Sequence, residues 1–261
     1  MSKSLSKIRY VFLWVLLVLP MTFMLTACDN SQLGTQAKCD TRGNYTESSI
    51  ETFNTVATDT ATTLGDSYRM TVKMKMDLSA LGSAFGAQTS GSDTSVDLTI
   101  NVIVTKDAMA MKMSGKADGE KRDVTMYIAN GKLYAYDAVS KEKAYIEVAA
   151  NADLETVLAE LNMDTMLQSA NLETILQNIK AAGNVTVTAN GNHFKLEYTA
   201  SSLPNVVYLN FDNAGKFEAV QAEMDLGFMQ MTAIMCTFDG EIELPNFDGY
   251  KQADNLDFLD E

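Results

Sequence analysis

The chain has 261 residues, 46% of them hydrophobic, with a net charge of −14, a single histidine and three cysteines. Such a chain can bury a core, which excludes general disorder, and its negative charge argues against nucleic-acid binding. One histidine and three cysteines are too few for a histidine-rich metal site or a disulfide scaffold. We therefore expect an acidic globular protein that binds no metal and no cofactor and is not an enzyme.

Residues 1–27 are predicted to be a signal peptide. Three basic residues precede the apolar run 11–19, and Pro20 interrupts it. The sequence Leu25-Thr26-Ala27-Cys28 resembles the bacterial lipobox, in which signal peptidase II cleaves before the cysteine and the thiol is acylated. The alternative is an uncleaved single-span anchor. Cys28 is thus the predicted lipid attachment site, on the extracytoplasmic face of a bacterial membrane.

Residues 28–45 are predicted to be a flexible tether, because Gly, Ser, Asn, Gln and Thr dominate them. Cleavage removes three positive charges, so the acidic body should be repelled by anionic lipid headgroups. A helix follows, with a capping box at Ser48-Ser-Ile-Glu51 and apolar residues at helical spacing until Gly65.

Alternating apolar and polar residues then predict antiparallel strands. Tyr68–Leu78 alternates cleanly, and the pattern resumes after a Gly/Ser-rich stretch, giving about six strands up to Val148. Asn130-Gly131 is a strong hairpin signal. Residues 151–182 return to helical spacing as a helix pair that ends near Gly183.

About five more strands follow from Val185 to Pro245, before an acidic tail at 251–261. The short turns imply antiparallel neighbours, and the chain has no alternating strand and helix pattern. The sequence therefore predicts one α+β domain over residues 46–250. Its sheet would be an incomplete antiparallel β-barrel of about eleven strands, with an N-terminal helix and a helix pair inserted mid-chain.

This order of elements behind a lipobox resembles the lipoprotein-carrier (LolA/LolB-like) superfamily and the LppX/LprG-type lipoproteins. The resemblance covers residues 46–247 and concerns architecture rather than individual residues. It implies an open barrel of about eleven strands folded around an apolar cavity, with helices partly closing it. The lipobox favours the membrane-anchored branches of that superfamily.

Methionines on the predicted strands are the most informative feature of the body. Eleven of them fall there, mostly at alternating positions that should share one face: Met70, Met74, Met76, Met109, Met111, Met113, Met126, Met224, Met229, Met231 and Met235. The flexible thioether suits surfaces that accept acyl chains of variable shape, although a packed core explains the same pattern. The candidate cavity wall comprises Met70, Met74, Met76, Leu98, Ile100, Met109, Met111, Met113, Met126, Ile128, Leu209, Phe211, Met229 and Met231.

Three further features each have two interpretations. The loop at 79–93, with Ala84 and Phe85 at its centre, is either a mobile lid or a plain hairpin connection. Cys39 and Cys236 either form a disulfide or leave a buried free thiol at Cys236. His193, just after a turn, is expected to be a polar surface residue.

These features predict a membrane-anchored extracytoplasmic lipoprotein that binds a lipid or a lipidated ligand without covalent chemistry. The alternatives are a sensor or assembly lipoprotein that binds a partner protein, and a passive structural lipoprotein of the surface. A core too tightly filled to admit an acyl chain would favour the last of these.

Overall fold

A computed structural model describes residues 31–41, 43–58, 67–77, 95–117, 119–148, 184–200 and 203–253. These residues form two helices, α1 (Ser31–Gly34) and α2 (Ile50–Thr58). They also form thirteen strands: β1 (Thr46–Glu47), β2 (Tyr68–Asp77), β3 (Ser95–Val104), β4 (Met109–Ala117), β5 (Glu120–Ala129), β6 (Lys132–Asp137), β7 (Lys143–Glu147), β8 (Val185–Asn190), β9 (His193–Ala200), β10 (Leu203–Phe211), β11 (Phe217–Asp225), β12 (Met229–Thr237) and β13 (Lys251–Gln252).

All thirteen strands belong to one sheet that does not close. Their order is β1-β8-β9-β10-β11-β12-β2-β3-β4-β5-β6-β7-β13, so the short β1 and β13 lie at the two edges. Every pair is antiparallel except β7 with β13. Pairing of β2 with β12 joins the two halves of the chain at the centre of the sheet.

The fold prediction holds in its coarser form. The described part of the chain is mostly β, and the open sheet is consistent with a half-barrel. It has thirteen strands rather than about eleven, because β1 and β13 are two residues long and too short to show an alternating pattern. The predicted helix pair at 151–182 lies outside the described residues.

Hairpin chemistry explains the tight connections. Asn130 and Gly131 both have positive φ, 53° and 68°, as a two-residue turn with the twist of an antiparallel hairpin requires. The predicted Asn-Gly hairpin between β5 and β6 is therefore confirmed.

The helix α2 is capped one residue later than predicted. Ser49 Oγ accepts a hydrogen bond from the Thr52 N–H at 3.1 Å, so Ser49, not Ser48, is the N-cap. Phe53 is buried and its ring meets Phe194 of β9 edge to face, with centroids 5.4 Å apart. This contact packs α2 on the apolar face of the sheet. The predicted continuation to Gly65 lies outside the described residues.

The N-terminal segment crosses the other face of the sheet. We call residues 31–41 and 43–47 the strap. Leu33 of the strap is 1% exposed and packs with Ile103, Ala110 and Tyr127 on β3, β4 and β5. Its far end pairs with β8 through β1. The strap thus runs from the β3–β5 region to the edge of the opposite half.

Polar contacts hold the middle of the strap. The Ala37 N–H donates to Thr71 Oγ1 at 2.8 Å, and the Thr71 hydroxyl donates in turn to Asn101 Oδ1 at 2.7 Å. Asn190 Nδ2 donates to the Gly43 carbonyl at 3.2 Å. Over residues 31–41 and 43–45 the chain is therefore packed on the sheet, not flexible as expected, while the predicted signal peptide and residues 28–30 of the predicted tether lie outside the described residues. The strap's few apolar residues, Leu33 and Ala37, are both buried although the surrounding composition is that of a linker.

The C-terminal segment covers the same face beside the strap. Gln32 Nε2 donates to the Glu241 carbonyl, and the Glu243 N–H donates to Gln32 Oε1, both at 3.0 Å. The Phe247 ring stacks on Tyr134 at a centroid distance of 3.7 Å. The predicted acidic tail at 251–261 begins with an ordered strand, β13; its residues 254–261 lie outside the described part.

Candidate ligand-binding face

Cross-strand register places methionines opposite one another where the two halves of the sheet meet. Met74 of β2 faces Met231 of β12, and Met231 faces Met224 of β11. Two residues further along β2, Met76 faces Met229 of β12. Directly opposed residues share a face of the sheet, with Cβ atoms about 4.5–5.5 Å apart. These five thioethers therefore form one group, which we call the methionine cluster.

The remaining methionines extend the same face. Met70 faces Met235, and a continuous row leads from Met70 through Val102 to the opposed pair Met111 and Met126. Because this register links all strands from β11 to β5, all eleven predicted methionines lie on one face, which we call the methionine face. The prediction that they share a face is confirmed.

All fourteen predicted wall residues lie on the methionine face. Leu98 faces Met74, Ile100 faces Met113, and Ile128 faces Met109 across their strands, while Leu209 and Phe211 join the same apolar cluster from β10. All of them except Met231 are buried. These residues therefore form a packed core, and their role as a cavity wall stays a prediction.

One end of the methionine face is partly accessible to solvent. Half-buried apolar side chains gather around the β11–β12 turn and the start of β3: Val96, Met224, Leu226, Phe228, Met231 and Ala233. The buried Met74, Met76 and Met229 lie directly behind them in the register. Among the described residues, this end presents apolar surface to a ligand approaching from solvent, and we call it the open end.

Gly115 brings the backbones of β3 and β4 unusually close at the open end. It lies opposite Leu98 with φ of 142°, and a Cβ built on it would lie 2.0 Å from the Asp97 carbonyl oxygen. Only glycine fits such an approach. The sequence pattern shows Gly115 within a strand but not which atoms approach it.

A pocket of about 630 Å³ lies on the opposite face, under the strap. Strap residues and strands β9–β12 line it: Lys38, Cys39, Asp40, His193, Asn210, Phe211, Asp212, Asn213, Glu218, Ala219, Cys236 and Thr237. The sequence marks Cys39, His193 and Cys236 individually but not as one site, because nothing local indicates that residue 39 crosses over β12.

Asn210 ties the strap to β9 within this pocket. With its amide oriented to match its neighbours, Nδ2 donates to His193 Nδ1 at 3.0 Å and to the Asp40 carbonyl at 3.2 Å. Its Oδ1 accepts from the Asp40 N–H at 2.7 Å. Asn210 is buried, so these bonds satisfy its amide. His193 is half-buried and acts as an acceptor here, rather than as a simple surface residue.

Asp212, one of the acidic residues in the pocket, binds the local backbone. Asp212 Oδ1 accepts from the N–H groups of Ala214 and Lys216 at 2.8 Å each, which closes the β10–β11 turn. Among the described residues, no group of three or more His, Cys, Asp or Glu side chains is placed to hold a metal ion.

The thiol of Cys39 ionises less readily than an ordinary cysteine thiol. Burial raises the pKa of its thiol from 9.0 to about 12, and the nearby charges of Asp40, Cys236 and Glu223 act in the same direction. Sγ also lies 4.0 Å from the Tyr208 carbonyl, to which the thiol donates. The thiolate is the reactive form, so Cys39 should be a poor nucleophile in the folded protein.

We expect iodoacetamide at pH 8 to alkylate Cys39 at least about 100-fold more slowly in the folded, reduced protein than in urea, because raising the pKa from 9.0 to about 12 lowers the thiolate fraction at pH 8 by more than that factor. Peptide mass mapping over time reports each cysteine separately. Equal rates with and without urea would contradict the burial of this thiol.

Cys39 and Cys236 are free thiols in the structure and line the same pocket. The predicted disulfide between them stays a prediction. The predicted lipid attachment residue Cys28, and the predicted lid residues Ala84 and Phe85, lie outside the described residues. Within the described ranges, no helix is both long enough and apolar enough to cross a membrane.

Comparisons with known proteins give a family and two distant structural likenesses. An S-type phycobiliprotein lyase, CPES, from Guillardia theta has a TM-score of 0.22 and 7% identity, over 82% of this chain and 100% of that chain. PNGF-II has a TM-score of 0.24 and 10% identity, over 74% of this chain and 32% of that chain.

No curated protein matches the chain. These comparisons do not confirm the predicted resemblance to lipoprotein carriers, which stays a prediction. A family model does match residues 51–204, which is more than half of the chain and runs from α2 into β10. The chain therefore belongs to the family of unknown function DUF6612.

Proposed function

We propose that the protein is a membrane-anchored extracytoplasmic lipoprotein that binds the acyl chain of a lipid or lipidated ligand at the open end of its methionine face. It acts by sequestering or transferring the ligand and performs no covalent chemistry. The observation that carries the proposal is the register of β11, β12, β2 and β3. That register makes a continuous apolar face whose open end is partly exposed.

The chemistry of the open end suits an acyl chain. Each methylene transferred from water contributes about 0.8 kcal/mol, before the cost of ordering the ligand is subtracted. Methionine side chains adapt to irregular shapes because they are unbranched and have three rotatable bonds. Met224 and Met231 are half-buried, so an entering chain would cover surface that solvent now reaches.

The strap determines which face of the sheet would lie near the membrane if Cys28 is the anchor. Leu33 is fixed to the sheet only five residues after Cys28. Five extended residues span at most about 18 Å. Acylation of Cys28 would therefore hold the face under the strap close to the bilayer, and the methionine face would be on the other side of the sheet.

Native mass spectrometry of the full-length protein extracted from membranes tests lipid binding. We expect a co-purifying lipid, and binding of a fluorescent fatty-acid probe. Met231→Gln should weaken probe binding by about 5–10-fold, because an amide is poorly accommodated against an acyl chain. Thr232→Gln is the matched control, since it adds the same amide to the opposite face and should leave binding unchanged.

Absence of both a co-purifying lipid and probe binding would contradict the proposal. The burial of thirteen of the fourteen wall residues favours the alternative of a structural surface lipoprotein with a filled core. That alternative predicts that the probe binds neither the parent protein nor the Thr232→Gln variant.

A further inference from the structure

The methionine cluster has the composition of a soft-metal site. Met224, Met231 and Met74 form one transverse row over three adjacent strands, and Met229 and Met76 form the next row. Opposed Cβ atoms lie about 4.5–5.5 Å apart, and each methionine extends three further bonds beyond Cβ to its methyl group. Three or more thioether sulfurs from this cluster can therefore converge on one small ion.

We propose that the methionine cluster binds one monovalent soft metal ion, Cu(I), through thioether sulfurs alone. Thioethers select Cu(I) over hard cations, which need carboxylate or carbonyl oxygens. Residues adjacent in sequence, such as Asp225 and Gln230, point to the opposite face because successive strand residues alternate. The oxygen atoms of these two residues are thus kept away from the cluster, and the amide of Asn205, opposite Met224 on β10, lies only at its edge.

The partial exposure of the methionine cluster and its shielding from water both suit a bound Cu(I) ion. Met74, Met76 and Met229 are buried, so the ligands face little competition from water. Met224 and Met231 are half-buried, which leaves a route for the ion from the open end. Thioethers carry no proton in the ordinary pH range, so binding releases none, unlike binding by cysteine or histidine.

The proposal does not depend on lipid binding, although both use the open end. Replacing methionine by leucine keeps an apolar side chain of similar volume, and such replacements usually preserve the fold. The acyl proposal therefore predicts little change in probe binding for Met→Leu variants. The metal proposal predicts a loss of metal binding in those variants.

The test uses Ag(I), a soft monovalent ion that does not change oxidation state, with the full-length chain in detergent. Cys39 and Cys236 are replaced by serine so that thiolates cannot bind the probe, while Cys28 is kept because its proposed acylation anchors the protein and leaves no free thiol. We expect isothermal titration calorimetry and native mass spectrometry to show one Ag(I) per chain. The affinity should be the same at pH 5 and pH 7.5, because no ligand titrates.

The double variant Met74→Leu with Met231→Leu should bind Ag(I) at least about tenfold more weakly, since even residues supporting metal ligands affect affinity by that factor. The matched control is Met111→Leu with Met126→Leu, an equally opposed pair on the same face outside the cluster. Circular dichroism checks that each variant folds. No Ag(I) binding by the parent, or equal losses in both double variants, would overturn the proposal.

Discussion

Gly115→Ala should destabilise the protein by about 3 kcal/mol, the sum expected for a strained backbone and an overpacked contact. An added Cβ would lie 2.0 Å from the Asp97 carbonyl oxygen, and that oxygen belongs to backbone that cannot rotate away. The two strands must separate at this point, or Gly115 must leave its φ of 142°. Urea unfolding followed by circular dichroism measures the change.

Gly43→Ala is the control for this substitution. No atom lies within 4 Å of a Cβ built on Gly43, and its backbone needs no positive φ. We expect a change within about 0.5 kcal/mol, as for an ordinary surface site. Similar unfolding midpoints for the two variants would contradict the close approach of β3 and β4. A large loss at Gly115 would also disturb the open end, because Leu98 lies opposite it and beside Met74.

Leu33→Ala should cost about 2–4 kcal/mol of stability, because a buried leucine is removed from an apolar cluster. Leu33 packs on three strands of the sheet, so its loss should also release the strap. Lys38, which is exposed within the strap, should then be cleaved faster by trypsin. Urea unfolding and the rate of trypsin cleavage after Lys38 are the two measurements.

Gln36→Ala provides the comparison, since Gln36 is an exposed residue of the same segment. It should leave both stability and the cleavage rate nearly unchanged. If residues 31–45 were a flexible tether, neither variant would matter and Lys38 would be cleaved equally fast in both. The pair of variants therefore separates a packed strap from a tether.

The family model matches residues 51–204, which include only part of the sheet. The match includes β2 to β9 and ends inside β10. The strap, β11 and β12 lie outside it. Met224, Met229 and Met231, and with them most of the open end, therefore lie outside the matched region.

Local patterns predicted much of the sheet. Alternation in β2 correctly placed Met70, Met74 and Met76 on the buried side and Lys73 and Lys75 on the exposed side. This works because a strand's side chains alternate in direction, so burial of one face leaves a period of two in the sequence. The Asn130-Gly131 turn was predictable for a similar reason, since few residues tolerate positive φ at both turn positions.

Patterns of this kind do not report which strands are neighbours. β2 pairs with β12, about 160 residues later in the chain, and only this pairing brings Met74 opposite Met231. The burial of the strap likewise depends on contacts between residues far apart in the chain. Leu33 and Ala37 are isolated apolar residues without any period, and they are buried because the sheet offers them an apolar surface.

Alternation within each strand is enough to predict that the methionines of this acidic chain share one face, because it depends only on the strand's own residues. Local patterns do not predict that five of them form a cluster at an open end, or that a segment with the composition of a linker crosses the opposite face. Both follow from contacts between residues far apart in the chain, and those depend on the order of strands in the sheet.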